Sequence, residues 1–213
     1  IFILICVYTT NINSNNVLME DSNLAVLVDA KTEYTNQLVS ILQNNIYVLI
    51  NELFTEAKLT CFENNEHHLV YKNFQDLLSN IPSWTEEKIK DEANKIIINS
   101  KCDWIDDLIT AVFVSHTKIL TSVNKNKPSN KISLKIPKTT HFIHECFIDS
   151  ARHFWKNAYL FDDSINNFQY QKNRKECDNL IEKSITDTIR KELPLKNILN
   201  EYLENENTKE NNN

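Results

Sequence analysis

No glycine occurs anywhere in this 213-residue chain. Glycine is the residue a chain ordinarily uses wherever φ must be positive: primed hairpin turns, phosphate-cradling loops, strand bulges and the position just past a helix C-terminus. A sheet protein of this length needs several such positions. A helical bundle needs few, because Asn adopts the left-handed conformation at modest cost and closes helices in glycine's place. Asn is abundant, and Asn80, Asn99 and Asn124 each stand near the end of an expected helix. The expected fold class is therefore all-α: a single-domain bundle of about six or seven helices.

The same absence removes chemistry. The Walker A loop, the dinucleotide fingerprint and the G-x-S-x-G nucleophile elbow all require glycines at fixed places. P-loop NTPases, Rossmann dehydrogenases and α/β-hydrolases are thereby excluded. The chain is rich in Ile, Asn and Lys, the mark of A/T-rich coding, so its lysines are weak evidence of a function. A net charge of -6 gives no electrostatic footprint for a polyanion. With 41% hydrophobic residues, including ten Phe and three Trp, there is ample material for a core.

Cys6, Cys61, Cys102, Cys146 and Cys177 form no C-x-x-C pair, so neither a zinc knuckle nor a disulfide scaffold is indicated, and a reducing compartment fits best. Residues 1–8, IFILICVY, are too short for a membrane span, which takes about 20 residues. They lack the basic n-region and small-residue cleavage site of a signal peptide. The sole methionine, Met19, is the expected start, with residues 1–18 a non-native or disordered extension, 19–203 the helical domain and 204–213 a disordered polar tail.

Apolar periodicity predicts a long helix from Leu24 to Ala57 carrying Tyr34, Leu38, Ile41, Leu42, Leu49 and Leu53, then a shorter one through Leu69, Phe74, Leu77 and Leu78 to Asn80. Pro82 breaks the chain, and Ser83 with Glu86 reads as a capping box for a third helix. Asp103 is placed to cap a fourth, whose buried side would run Trp104, Leu108, Ile109, Val112, Ile119, Leu120 and Val123. Residues 124–138, NKNKPSNKISLKIPK, hold five lysines, two prolines and no acid; this is the main loop, and its KISLKI segment alternates like one short β element. A helix from Thr140 to Leu160 follows, then a loop at Asp162–Phe168 and a helix burying Cys177, Leu180, Ile181, Ile185 and Ile189. Pro194 at a first-turn position opens a last helix, in which Leu195, Ile198, Leu199, Tyr202 and Leu203 form an apolar stripe.

Few side chains suggest a reaction. His141 and His144, with Glu145, make an H-x-x-H on a helix that could hold a metal. The zincin spacing is absent, however, and an i, i+4 ladder of His141, Glu145, Asp149, Arg152 and His153 accounts for the same residues. Asp103, Asp106 and Asp107 could gather Mg²⁺, or simply complement a helix N-terminus. His116 lies on an apolar stripe, as a core histidine or a perturbed base. Cys146 beside His144 or His153 could form a catalytic pair, but nothing marks the thiol as activated. The three arginines, Arg152, Arg174 and Arg190, suit carboxylate pairing. The lysine loop lacks interleaved aromatics, so nucleic-acid binding through 124–138 is an alternative of lower standing.

Four stretches carry a resemblance: FQDLLSNIPSW at 74–84, CDWIDDLITAVFVSHTKILTSV at 102–123, IPKTTHFIHECFIDSARHFWKNAYLF at 136–161 and TIRKELPLKNILNEYL at 188–203. Together they resemble an uncharacterised family of proteins from nucleocytoplasmic large DNA viruses, with Ala158 and Leu195 standing where that family would have proline and valine. The resemblance implies a virus-encoded protein made in the host cytoplasm or viral factory and carried, on one reading, in the virion. It implies no activity and no catalytic residues. The expectation is thus a non-enzymatic interaction or virion-associated module with a viral or host protein partner and no cofactor, membrane or nucleic acid. Its docking element would be the stripe from Leu195 to Leu203. A small metal-dependent enzyme built on His141, His144 and Glu145 or on the Asp103 cluster is the rival.

Overall fold

A computed structural model describes residues 16–122 and 136–200. Helix α1 (Asn16–Glu63) has 48 residues, about 72 Å at the ordinary rise of an α-helix. Along its second half Leu38, Leu42, Ile46, Leu49, Ile50, Leu53 and Ala57 are buried at three- and four-residue steps, the stripe that the periodicity predicts. The helix runs past the expected end at Ala57 because Cys61 continues the buried face. It closes at Asn65, in the left-handed region at φ 56°. The Asn65 N–H donates to Phe62 at 3.1 Å and the Glu66 N–H to Cys61 at 2.8 Å, the paired closure that glycine usually supplies. Asn80, by contrast, keeps right-handed helical angles, Asn99 lies inside a helix, and Asn124 falls outside the described residues.

Helix α2 (Val70–Asn80) follows a short 3₁₀ turn and leads into a second, Ile81–Ser83. Pro82 fixes that turn, so Ser83 is spent within it, its hydroxyl donating to Asn80 at 2.7 Å. The cap of α3 (Glu86–Ser100) is instead Thr85, whose hydroxyl oxygen accepts from the Lys88 N–H at 3.3 Å; the expected Ser83–Glu86 box does not form. Lys101 ends α3 with φ 52°. Helix α4 (Ile105–Ser122) buries Leu108, Ile109, Val112 and Phe113. Asp103 and Trp104 precede it in a turn, and Trp104 is exposed rather than buried.

Helix α5 (Thr139–Lys156) stops short of the expected Leu160. The chain tightens into a 3₁₀ turn at Ala158–Phe161, which turns Phe161 back into the core against Phe54, Phe74 and Phe154 at ring separations of 5.6, 5.2 and 5.2 Å. Asn166 caps α6 (Asn167–Glu192) by accepting from the Gln169 N–H at 2.9 Å. Residues 195–200 are helical again, beginning just after Pro194, whose carbonyl accepts from the Asn197 and Ile198 N–H groups.

The elements share one core. Helix α1 is its axis, packed by α2, α4 and α6, while α5 bridges α2 and α6. The fold is all-α and single-domain, and among the described residues there is no strand. No described helix is long and apolar enough to cross a membrane. All but Ile136 of the expected β element at KISLKI and four of the five loop lysines lie outside the described residues, as do Tyr202, Leu203 and the 204–213 tail. The expected boundary between residues 18 and 19 falls inside α1.

Candidate functional site

Several of the chemistry-bearing residues lie on α5, which packs against both α2 and α6. The structure does not bring His141, His144 and Glu145 together. His141 is exposed in the first turn of α5, its Nε2 3.6 Å from a Glu192 carboxylate oxygen on α6. His144 is buried, its Nε2 donating to the Ile81 carbonyl at 2.9 Å, with its ring stacked on Trp84 at 6.3 Å. One imidazole faces solvent and the other spends its free nitrogen on backbone. Positions three apart are neighbours on a helix, yet the two rings turn to different partners, so the H-x-x-H pattern is satisfied by two unrelated structural tasks.

What does converge is a trio that the spacing did not single out: Asp149 and His153 from α5 with Asp187 from α6, their ligand atoms all within 4.8 Å of one another. Asp149 is the most buried of the three. Its Oδ1 accepts from Lys191 Nζ at 2.5 Å and from Arg152 at 3.4 Å, and Arg190 donates to Asp187 at 2.7 Å. Both carboxylates thus already hold cations. Burial pushes the His153 imidazole below its ordinary pKa, and the Lys183 charge adds to that, against the opposing pull of Asp149 and Asp187. A divalent ion would enter a neighbourhood whose carboxylates are already neutralised, and the trio is a charge-paired seam joining α5 to α6 rather than an open metal site. The i, i+4 ladder of the sequence is real in part, but its ion pairs reach across to α6. Only the pairing partner on a distant helix was missing from the sequence.

The Asp103 cluster is likewise dispersed into structure. Asp106 accepts from the Thr139 hydroxyl at the head of α5, and Asp106 with Asp107 stands in the first turn of α4, where negative charge is favoured. His116 is half-buried with Nδ1 2.9 Å from the Val112 carbonyl; burial lowers its pKa, and Lys31 and Arg190 lower it further. It lines a small hollow between α1, α4 and α6. The thiols of Cys61, Cys102, Cys146 and Cys177 are free and buried. Burial pushes Cys146 far up and Cys177 up to about 12, the reverse of an activated nucleophile. Each arginine bonds an aspartate on its own helix: Arg152 to Asp149, Arg174 to Asp178, Arg190 to Asp187.

Two surface features remain. Leu195 and Leu199, one helical turn apart after Pro194, are 40% and 59% exposed, while Ile198 is half-buried against the body. The segment is rooted beside a hollow lined by Pro137, His141, Glu192 and Pro194. At the other end of α5, a groove of about 280 Å³ lies between α2 and α5. Its floor is Leu78, Pro82 and Ile148, and its rim is Trp155, Arg152 and Lys156.

A family of unknown function, DUF5764, matches residues 24–162. The chain belongs to that family. The match takes in α1 from Leu24 onward, α2 through α5 and the 3₁₀ turn that brings Phe161 into the core, which is most of the packed body described above. No curated protein and no solved structure matches the chain. The family's description assigns no activity.

Proposed function

We propose that this DUF5764 member is a virus-encoded, non-enzymatic interaction module that docks on another protein through the helical segment opened by Pro194. The observation that carries this reading is the exposure of Leu195 and Leu199 on one face of that segment, at the i, i+4 spacing by which a helix presents anchors to an apolar groove. Pro194 fixes where the segment starts, and the rest of the stripe, Tyr202 and Leu203, continues the same spacing in the sequence. The shielded thiols and the neutralised α5–α6 carboxylates favour this reading over the metal-enzyme alternative. Work in the host cytoplasm or viral factory, with or without packaging in the particle, accords with the viral resemblance and the reduced cysteines.

Removal of residues 194–213 is the test. The trimmed chain is expected to keep its melting temperature and to lose a partner captured by the full chain from infected cells. A large fall in melting temperature would instead make the segment part of the fold. Proteomics of purified particles checks the virion assignment.

A further inference from the structure

The α2–α5 groove and the segment beyond Pro194 complement one another in two independent ways. The groove has an apolar floor of Leu78, Pro82 and Ile148 and a cationic rim of Arg152 and Lys156, with the Trp155 ring 47% exposed beside them. In a chain of net charge -6 this is a locally basic spot. The Arg152 side chain is 65% exposed and meets Asp149 only at 3.4 Å, which leaves most of its donors free, and Lys156 makes no ion pair among the described residues. At about 280 Å³ the groove lies below the usual small-molecule range of about 300–1,000 Å³ and suits a few anchoring side chains.

The segment offers the matching pattern. Leu195 and Leu199 supply exposed apolar anchors, and the sequence that follows, EYLENE at 201–206, interleaves Tyr202 and Leu203 with Glu201, Glu204 and Glu206. An acidic amphipathic segment is what an apolar groove with a guanidinium and an ammonium on its rim would select. None of the segment's described residues, 195–200, lines the groove of its own chain. The segment is rooted at the start of α5, beside Pro137 and His141, whereas Arg152 stands eleven positions along the helix, about 16 Å away, and Leu195 and Leu199 stay exposed.

The geometry points to a second copy of this chain as the partner: each copy lays its 195–206 segment in the α2–α5 groove of the other, a reciprocal exchange closed by a two-fold axis. This rests on the docking role assigned to the segment above and names its partner. Because the rim contributes charge, the association weakens as salt rises.

Sedimentation of the full chain across micromolar concentrations tests it. The wild type is expected to form a concentration-dependent dimer. Leu199→Asp and the double variant Arg152→Glu/Lys156→Glu should each raise the dissociation constant by about tenfold or more, with helical circular dichroism unchanged. Adding Glu201→Lys/Glu204→Lys to the arginine and lysine reversals should recover the dimer. A wild type that stays monomeric overturns self-association while leaving the docking role to the trimmed-chain experiment. A dimer lost in Leu199→Asp but intact in Arg152→Glu/Lys156→Glu overturns the groove alone. A dimer indifferent to Leu199→Asp overturns the use of this segment in self-association altogether.

Discussion

The Nε2 of His144 lies 2.9 Å from the carbonyl oxygen of Ile81, a bond between residues 63 positions apart that ties α5 to the 3₁₀ turn after α2. A carbonyl can only accept, so the histidine holds its proton on Nε2. The Ile81 side chain beside it is fully buried. His144→Ala should therefore cost about 1–3 kcal/mol for the unpaired carbonyl, and more through the lost stack on Trp84. Urea unfolding followed by tryptophan emission would measure it. An effect below about 0.5 kcal/mol, the range of ordinary surface changes, would contradict the assigned bond.

Lys191 and Asp149 should behave as a coupled pair. Lys191→Met strands a buried carboxylate, while Lys191→Met with Asp149→Asn removes the charge as well as its partner. A double-mutant cycle on melting free energies should return a coupling of about 0.5–3 kcal/mol. Additive single effects would mean that the ammonium contributes nothing across the α5–α6 seam.

The same seam predicts indifference to metal. Equimolar zinc should leave the melting temperature of the wild type unchanged, and cobalt should bring no visible absorption, since Lys191, Arg152 and Arg190 already occupy the carboxylates. A stabilising shift that disappears in His153→Gln would revive the metal reading.

Two histidines set the acid side of the stability profile. His116 and His153 both have folded pKa values below the ordinary 6.5, so each is protonated more readily in the unfolded chain. Their contribution is intact above the unfolded value, is lost as pH falls through 6.5, and stops falling once the folded value is passed. Melting temperature should drop on acidification in that window. His116→Gln and His153→Gln should each flatten the drop.

Cys146 and Cys177 should resist alkylation in the native state at mildly alkaline pH and react fully in denaturant. Peptide mapping after iodoacetamide treatment distinguishes these two from the rest. Rapid native labelling of Cys146 would contradict its complete burial.

The architecture was legible in the sequence where periodicity and punctuation act locally. The stripe from Leu38 to Leu53, the break at Pro82 and the buried run Cys177, Ile181, Ile185 and Ile189 all follow from spacing alone. Legibility failed where tertiary packing overrode local preference. Ser83 looked like a cap until Pro82 drew it into a 3₁₀ turn, Trp104 looked like core, and α5 gave way at Asn157 so that Phe161 could reach the aromatic cluster. The site residues were harder for the same reason. His141 and His144 lie near each other in sequence, but their directions depend on Glu192 and Ile81. The Asp149–His153–Asp187 trio needs α6 folded back on α5, and no short spacing encodes that.

Asn65 and Lys101, the two described residues at positive φ, carry a consequence for how this gene can vary. A non-glycine residue in the left-handed region costs roughly 1–2 kcal/mol, so a glycine-free lineage can afford very few such corners. Elsewhere α3, α5 and α6 are entered through extended backbone at Thr85, Lys138 and Asn166, and α6 is left the same way at Leu193. Nucleotide bias that starves a gene of G-rich codons thereby filters architectures as well as residues. It spares bundles that need few left-handed corners, and among the described residues it leaves two codons at which a single glycine would firm the molecule.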